Sequence, residues 1–221
     1  MRTARIVAGA LALSALSGAA RVAAAQDGAD RLLGAARRGD AAAIAQLAPS
    51  QADVNRRHAD VHGQTALMLA AVGGHEAAVR ALLAVGADPG LASPTGFTTL
   101  MAAAESGSVP ILRALLDRGV NVNAATENGY TALMKAVAHG RDEAVAVLLA
   151  AEAHVNARTD SGLSPLILAA WEGRTAIASR LLQAGADVSH RYRDRETPVA
   201  IAIKRGHPDT ARIITAAGGR R

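Results

Sequence analysis

The chain has 221 residues, half of them hydrophobic, which is enough for a sizeable buried core in one domain or one repeat array and excludes a disordered chain. It contains no cysteine, so disulfides, thiolate chemistry and a lipoprotein anchor are excluded, and at 2% aromatic content its apolar mass is aliphatic. Three of the positive charges behind the formal +5 (Arg2, Arg5 and Arg21) lie in the first 25 residues; the rest carries 21 basic against 19 acidic residues, a net of +2 that selects no class of partner.

Residues 1–25 read as a signal peptide: a basic start, an apolar segment from Ile6 to Leu16, and small residues ending Ala23-Ala24-Ala25 before Gln26. Cleavage is expected after Ala25, and the alternative is an uncleaved amino-terminal anchor. The apolar run is shorter than the ~20 residues a spanning helix needs, and no later apolar stretch of that length is free of charge. Export to the periplasm or the medium is therefore expected, with no membrane span after cleavage.

The remainder repeats with a period of 33. Thr65, Thr98, Thr131, Ser164 and Thr197 form one column, Leu67, Leu100, Leu133, Leu166 and Val199 a second, and Gly74, Gly107, Gly140, Gly173 and Gly206 a third. The pairs Leu82-Leu83, Leu115-Leu116, Leu148-Leu149 and Leu181-Leu182 keep the same register. Within each unit the hydroxyl residue is predicted to cap a first helix, with Pro165 and Pro198 at the position where a missing N–H costs nothing. An alanine column (Ala70, Ala103, Ala136, Ala169, Ala202) lets neighbouring first helices approach, and the glycine column ends them. The second helix shows Val79, Leu82 and Leu83 at i, i+3, i+4, one apolar face for the adjacent unit. Gly86, Gly119, Gly185 and Gly218 close it.

These residues resemble the ankyrin repeat. Its Gly-x-Thr-Pro-Leu, Ala-Ala, Gly-His, Leu-Leu and Gly-Ala-Asp pattern is visible from Gly63 to Asp88 as GQTALMLAAVGGHEAAVRALLAVGAD. Later units run from Gly96 to Asn121, Gly129 to His154, Gly162 to Asp187 and Arg195 to Gly218. A looser unit precedes them, in which Ala35, Ala36, Gly39, Ile44, Leu47, Ala52 and Asp53 match at a spacing of 35, so two extra residues fall around Arg56 to Asp60. The resemblance covers residues 29 to 218 and implies an all-α solenoid of about six stacked helix-turn-helix units with β-turn fingers. The expected division is a signal peptide (1–25), an amino-terminal capping repeat (26–59), four repeats (60–92, 93–125, 126–158, 159–191) and a carboxyl-terminal capping repeat (192–221). Polar ends are needed for such a stack, and Arg37, Arg38, Asp40, Gln46 and Thr215 supply them.

Two departures from the family pattern stand out. Met68, Met101, Met134, Ile167 and Ala200 occupy the column where the family usually has a loop-bracing histidine, which predicts weaker bracing. Glu152 stands where the other full repeats have Gly, in a turn expected to be left-handed.

No catalytic signature is present. His75-Glu76 begins like a zinc-protease H-E-x-x-H helix, but Val79 stands at the second histidine, and no nucleophile elbow, phosphate loop or calcium loop occurs. His58, His62, His139, His154 and His190 lack ligand spacing, while His75 and His207 occupy the family's structural histidine position. Catalytic residues, metal and cofactor are all read as none.

The resemblance places partner contacts just before the hydroxyl column and at the concave end of the first helix. Those positions hold Gln64, Phe97, Tyr130, Leu163 and Glu196, and then Glu105, His139, Trp171, Glu172, Lys204 and Arg205. The chain has four aromatic residues; Phe97, Tyr130 and Trp171 fall in these columns and Tyr192 begins the last finger, which points to a binding surface for an unidentified protein partner. Packing of one finger on the next is the alternative for Phe97 and Tyr130. Positive charge also gathers at the carboxyl end (His190, Arg191, Arg193, Arg195, Lys204, Arg205, Arg212, Arg220, Arg221), which reads either as a solvated cap or as a site for an anionic ligand or polymer. Nucleic acid is not expected as a partner, and a monomer is.

Overall fold

The computed structural model describes residues 27–47, 53–193 and 195–220. The predicted signal segment and its cleavage point lie outside the described residues. Helix α1 occupies residues 27–38 and is followed by α2 (Ala41–Leu47), a 3-10 turn (Ala59–Val61), α3 (Ala66–Val72), α4 (Glu76–Ala84), α5 (Thr99–Ser106) and α6 (Val109–Leu116). The series continues with α7 (Ala132–Ala138), α8 (Asp142–Ala150), α9 (Pro165–Trp171), α10 (Thr175–Gln183), α11 (Pro198–Lys204) and α12 (Pro208–Ala216). Among the described residues there is no strand beyond four isolated bridges, and no helix is long and apolar enough to cross a membrane.

The helices are too short to be stable alone, since isolated helices under about 12 residues are marginal in water. Caps and packing sustain them. Thr65, Thr98, Thr131, Ser164 and Thr197 each accept a hydrogen bond from the main-chain N–H three residues on, at 3.1–3.4 Å. Pro165 and Pro198 sit in the first turn of their helices, as the sequence predicts.

Two layers result. First helices α3, α5, α7, α9 and α11 pack each on the next, as do second helices α2, α4, α6, α8, α10 and α12. The alanine column is wholly buried between first helices, and Leu82, Leu115, Leu148 and Leu181 are wholly buried beneath the second. The buried residues of all the units join in one continuous cluster, as expected where each unit packs on the next.

At Gly39, Gly107, Gly140 and Gly173 the glycine after the first helix is required twice over. Gly173 adopts φ 65°, a left-handed value open to Gly at little cost, and a Cβ there would lie 2.5 Å from the His207 ring. That ring meets the carbonyl of Trp171 at 3.2 Å, just as His75 meets that of Arg37 at 3.1 Å and Arg141 donates to that of Glu105 at 3.0 Å. Three units thus tie off the open carbonyl end of the first helix before them; at Arg174, which holds the same position, the buried Nε has no hydrogen-bond partner among the described residues.

The substitution of the bracing histidine column also has a structural outcome. Met68, Met101, Met134 and Ile167 are wholly buried, and the fingers are joined by main-chain bonds instead: Glu127 to Thr95 at 3.0 Å and Asp160 to Asn128 at 3.2 Å. A further column braces the turns that follow the second helices. The Asn123 side chain accepts from His154 N–H at 2.7 Å and donates to Glu152 O at 3.3 Å, and Asn55 and Asn156 clamp the following turn in the same way. In the repeat at 60–92 this position is Gly90, and the clamp is missing.

The two extra residues near the amino end are absorbed in the first finger. Where later fingers close between residues four apart, His58 pairs with Gln64, and the insertion forms the 3-10 turn followed by His62 at φ 57°. His58 is buried, 3.5 Å from Asp30 on α1, and loss of hydration lowers its pKa below the usual value, with the nearby Arg56 charge adding to the effect.

Candidate functional site

Each finger is a short hairpin whose base fixes the residue before the capping hydroxyl. Ser93, Thr126 and Thr159 donate their N–H to the carbonyls of Phe97, Tyr130 and Leu163 at 2.8–3.0 Å, and their hydroxyls accept the returning N–H at 3.0–3.1 Å. Tyr192 and Glu196 close the last finger with a 2.8 Å bond. Phe97, Tyr130 and Leu163 are therefore held at fixed steps along the stack, half-buried against the core.

Two clusters form along this row. In the middle, Lys135 on α7 places its ammonium 5.5 Å from the ring centroids of both Phe97 and Tyr130, and 2.8 Å from the Glu105 carboxylate of α5. Lys135 and Glu105 are only 25% and 22% exposed, so this pair is shielded and the centre of the groove is close to neutral. Three predicted contact residues, Phe97, Glu105 and Tyr130, meet around a lysine that sequence inspection passed over.

At the carboxyl end, Trp171 and Tyr192 meet edge to face at 5.8 Å and 88°. The Arg205 guanidinium lies over the indole, 3.9 Å from its centroid, and that of Arg193 lies 5.1 Å over Tyr192. Lys204 is answered by Glu196 at 2.7 Å. Trp171, Lys204 and Arg205 are thus joined by Tyr192, Arg193 and Glu196. Of the other predicted contacts, His139 turns its ring back to the Lys135 carbonyl at 2.9 Å, Glu172 is exposed, and Gln64 is half-buried in the longer first finger.

Among the described residues no three His, Asp or Glu side chains gather to hold a metal ion. Two carboxylates outside these clusters have lowered pKa values. Asp142 is lowered by paired hydrogen bonds from Arg180 at 3.1 and 2.8 Å, and Asp187 by bonds from Ser189.

Stacked pairs of short antiparallel helices, a finger between each pair and a 33-residue step define the architecture, and residues 14–192 are matched in overlapping stretches (14–92, 32–126, 81–159 and 118–192) by the family model for ankyrin repeats in sets of three copies. The chain belongs to the ankyrin-repeat family. Comparison with curated proteins gives no match. Ankyrin repeats are generally protein–protein interaction modules, and the proteins built from them are typically non-enzymatic scaffolds. In this ankyrin array, α11 and α12 extend the stack beyond the matched residues with the same capping and the same inter-unit bonds.

Proposed function

We propose that this chain is an exported, non-catalytic interaction module that binds a protein partner on its concave helix and finger face, through Gln64, Phe97, Tyr130, Leu163, Glu105, His139, Trp171, Glu172, Lys204 and Arg205. One observation carries the reading: the aromatic residues are few, and three of the four, Phe97, Tyr130 and Trp171, stand in the columns that vary from unit to unit while the framework repeats. Rigid half-buried rings offer contact area at small entropic cost. The repeat boundaries are taken at residues 60, 93, 126, 159 and 192, with a signal peptide removed after Ala25 and the mature monomer in the periplasm or the medium.

Affinity capture from periplasmic extract, comparing the wild type with a Trp171→Ala, Tyr130→Ala double variant, tests the surface. Loss of a captured protein with the variant is expected, and an identical set of captured proteins refutes the assignment. The mass of the exported protein tests the cleavage point, with Gln26 expected first. A second reading, an accessory factor that takes an anionic ligand or polymer through the basic end, is favoured by the exposed guanidinium groups of Arg193, Arg195 and Arg205.

A further inference from the structure

Cations along the concave strip differ in how they are paired. Lys135 is matched by Glu105 and enclosed by two rings, and Lys204 is matched by Glu196. Arg193, Arg195 and Arg205 are exposed and meet no carboxylate among the described residues, and their side-chain N–H groups donate to no acceptor there. Residues 190–205 hold five Lys or Arg against two Asp or Glu, a net +3 in a chain whose remaining surface is nearly balanced.

Geometry adds specificity to this charge. Arg205 is positioned by Trp171 at 3.9 Å and Arg193 by Tyr192 at 5.1 Å, while the two rings meet each other at 5.8 Å. A guanidinium lying over a ring keeps its N–H fork free for a carboxylate, and less freedom is lost when the bond forms. Beside the fork, two open depressions are lined by Trp171, Tyr192 and Ile201 together with Glu196 and the basic side chains of the patch, so an apolar residue would sit on the rings with charge beside it.

We propose that the Trp171–Tyr192–Arg193–Arg205 patch is a docking site for an acidic segment of a protein partner, in which one aliphatic or aromatic residue adjoins two or three Asp or Glu. This rests on the protein-interaction reading above and names the chemistry of the partner. The patch spans one repeat step of about 10 Å, which about three residues of extended chain cover. A protein segment fits better than a polyanion: Glu196 lines both depressions and the exposed Glu172 follows Trp171, so a uniformly charged polymer would meet repulsion that a segment with an apolar residue among its acids avoids.

A random dodecapeptide library displayed on phage, panned on the full mature chain, tests this against an Arg193→Glu, Arg205→Glu variant whose melting temperature is checked first; both positions are exposed. Recovered peptides are expected to place an apolar residue next to acidic ones and to weaken with salt. They should lose about tenfold or more affinity on the variant, and they should shift the emission of Trp171, the only tryptophan of the chain. Neutral or basic peptides, or peptides that bind the variant equally and depend on Phe97 and Tyr130, overturn the acidic-segment assignment while leaving the interaction module standing. Heparin or single-stranded DNA binding more tightly than every recovered peptide overturns it in favour of a polyanion. A library that yields no binder overturns both.

Discussion

Replacing Glu152 by Gly should stabilise the protein. Glu152 follows α8 with φ 63°, in a turn closed by its N–H to Leu149 O at 3.0 Å and by Ala153 N–H to Leu148 O at 3.0 Å. The same turn is made by Gly86, Gly119 and Gly185 at φ 91°, 72° and 86°, and a Cβ built at any of the three meets nothing within 4 Å. The penalty at Glu152 is therefore conformational rather than steric, about 1–2 kcal/mol for an L-residue in the left-handed region. A carboxylate at a helix carboxyl terminus adds a few tenths through the helix dipole, ~0.3 kcal/mol when exposed, and the greater freedom of Gly in the unfolded chain takes back about 0.7 kcal/mol. The net is about 1 kcal/mol, or ~2–4 °C in melting temperature for a chain of this size. Thermal and urea melts of Glu152→Gly should show this gain, and Gly119→Ala and Gly185→Ala should show a loss of similar size. An unchanged or lowered melting temperature for Glu152→Gly refutes the reasoning, most directly if the two alanine variants are also neutral.

Three other outcomes follow from particular atoms. Gly90→Asn should supply the clamp that Asn55, Asn123 and Asn156 provide in other units, for a gain of about 1 kcal/mol in urea denaturation; the position has no left-handed backbone, and its Cβ would sit 3.2 Å from Asp88 Oδ1, an acceptor for its own N–H. Thr99→Val should gain about 1 kcal/mol in the same assay, because the wholly buried Thr99 hydroxyl has no hydrogen-bond partner among the described residues and Val keeps its shape. Stability should fall with acidification below about pH 6.5 through His58: its pKa in the fold is lowered by burial, so the unfolded chain binds the proton more readily, and the contribution is complete above the unfolded value and lost as pH drops toward the folded one. Melting temperatures of His58→Gln and wild type between pH 7.5 and 5, values on the order of the histidine range, should converge on acidification, and parallel curves would exclude His58 as the source.

Much of the fold could be read along the chain because its contacts are local and repeated. The capping Thr column, the buried alanine and leucine columns and the left-handed turn at Glu152 all depend on a residue's own φ, ψ and its neighbours within a few positions, and a 33-residue period multiplies each signal five times. The asparagine clamp shared the same period and was legible in principle at Asn123 and Asn156; its interruption at Gly90 and its offset at Asn55 hid it. Lys135 was not legible at all, since it occurs once, in a column otherwise filled by Leu69, Ala102, Leu168 and Ile201.

The order of helices and their register thus follow from side-chain pattern and backbone preference, which act over a few residues and are written in the primary chain. Which cations are matched and which are left over is a different kind of fact. Lys135 with Glu105, Arg205 with Trp171 and Trp171 with Tyr192 are meetings across one repeat step, set by the angle at which neighbouring units pack. Coulombic and ring contacts depend on separations of a few ångströms, and only the stacked array brings those atoms within reach.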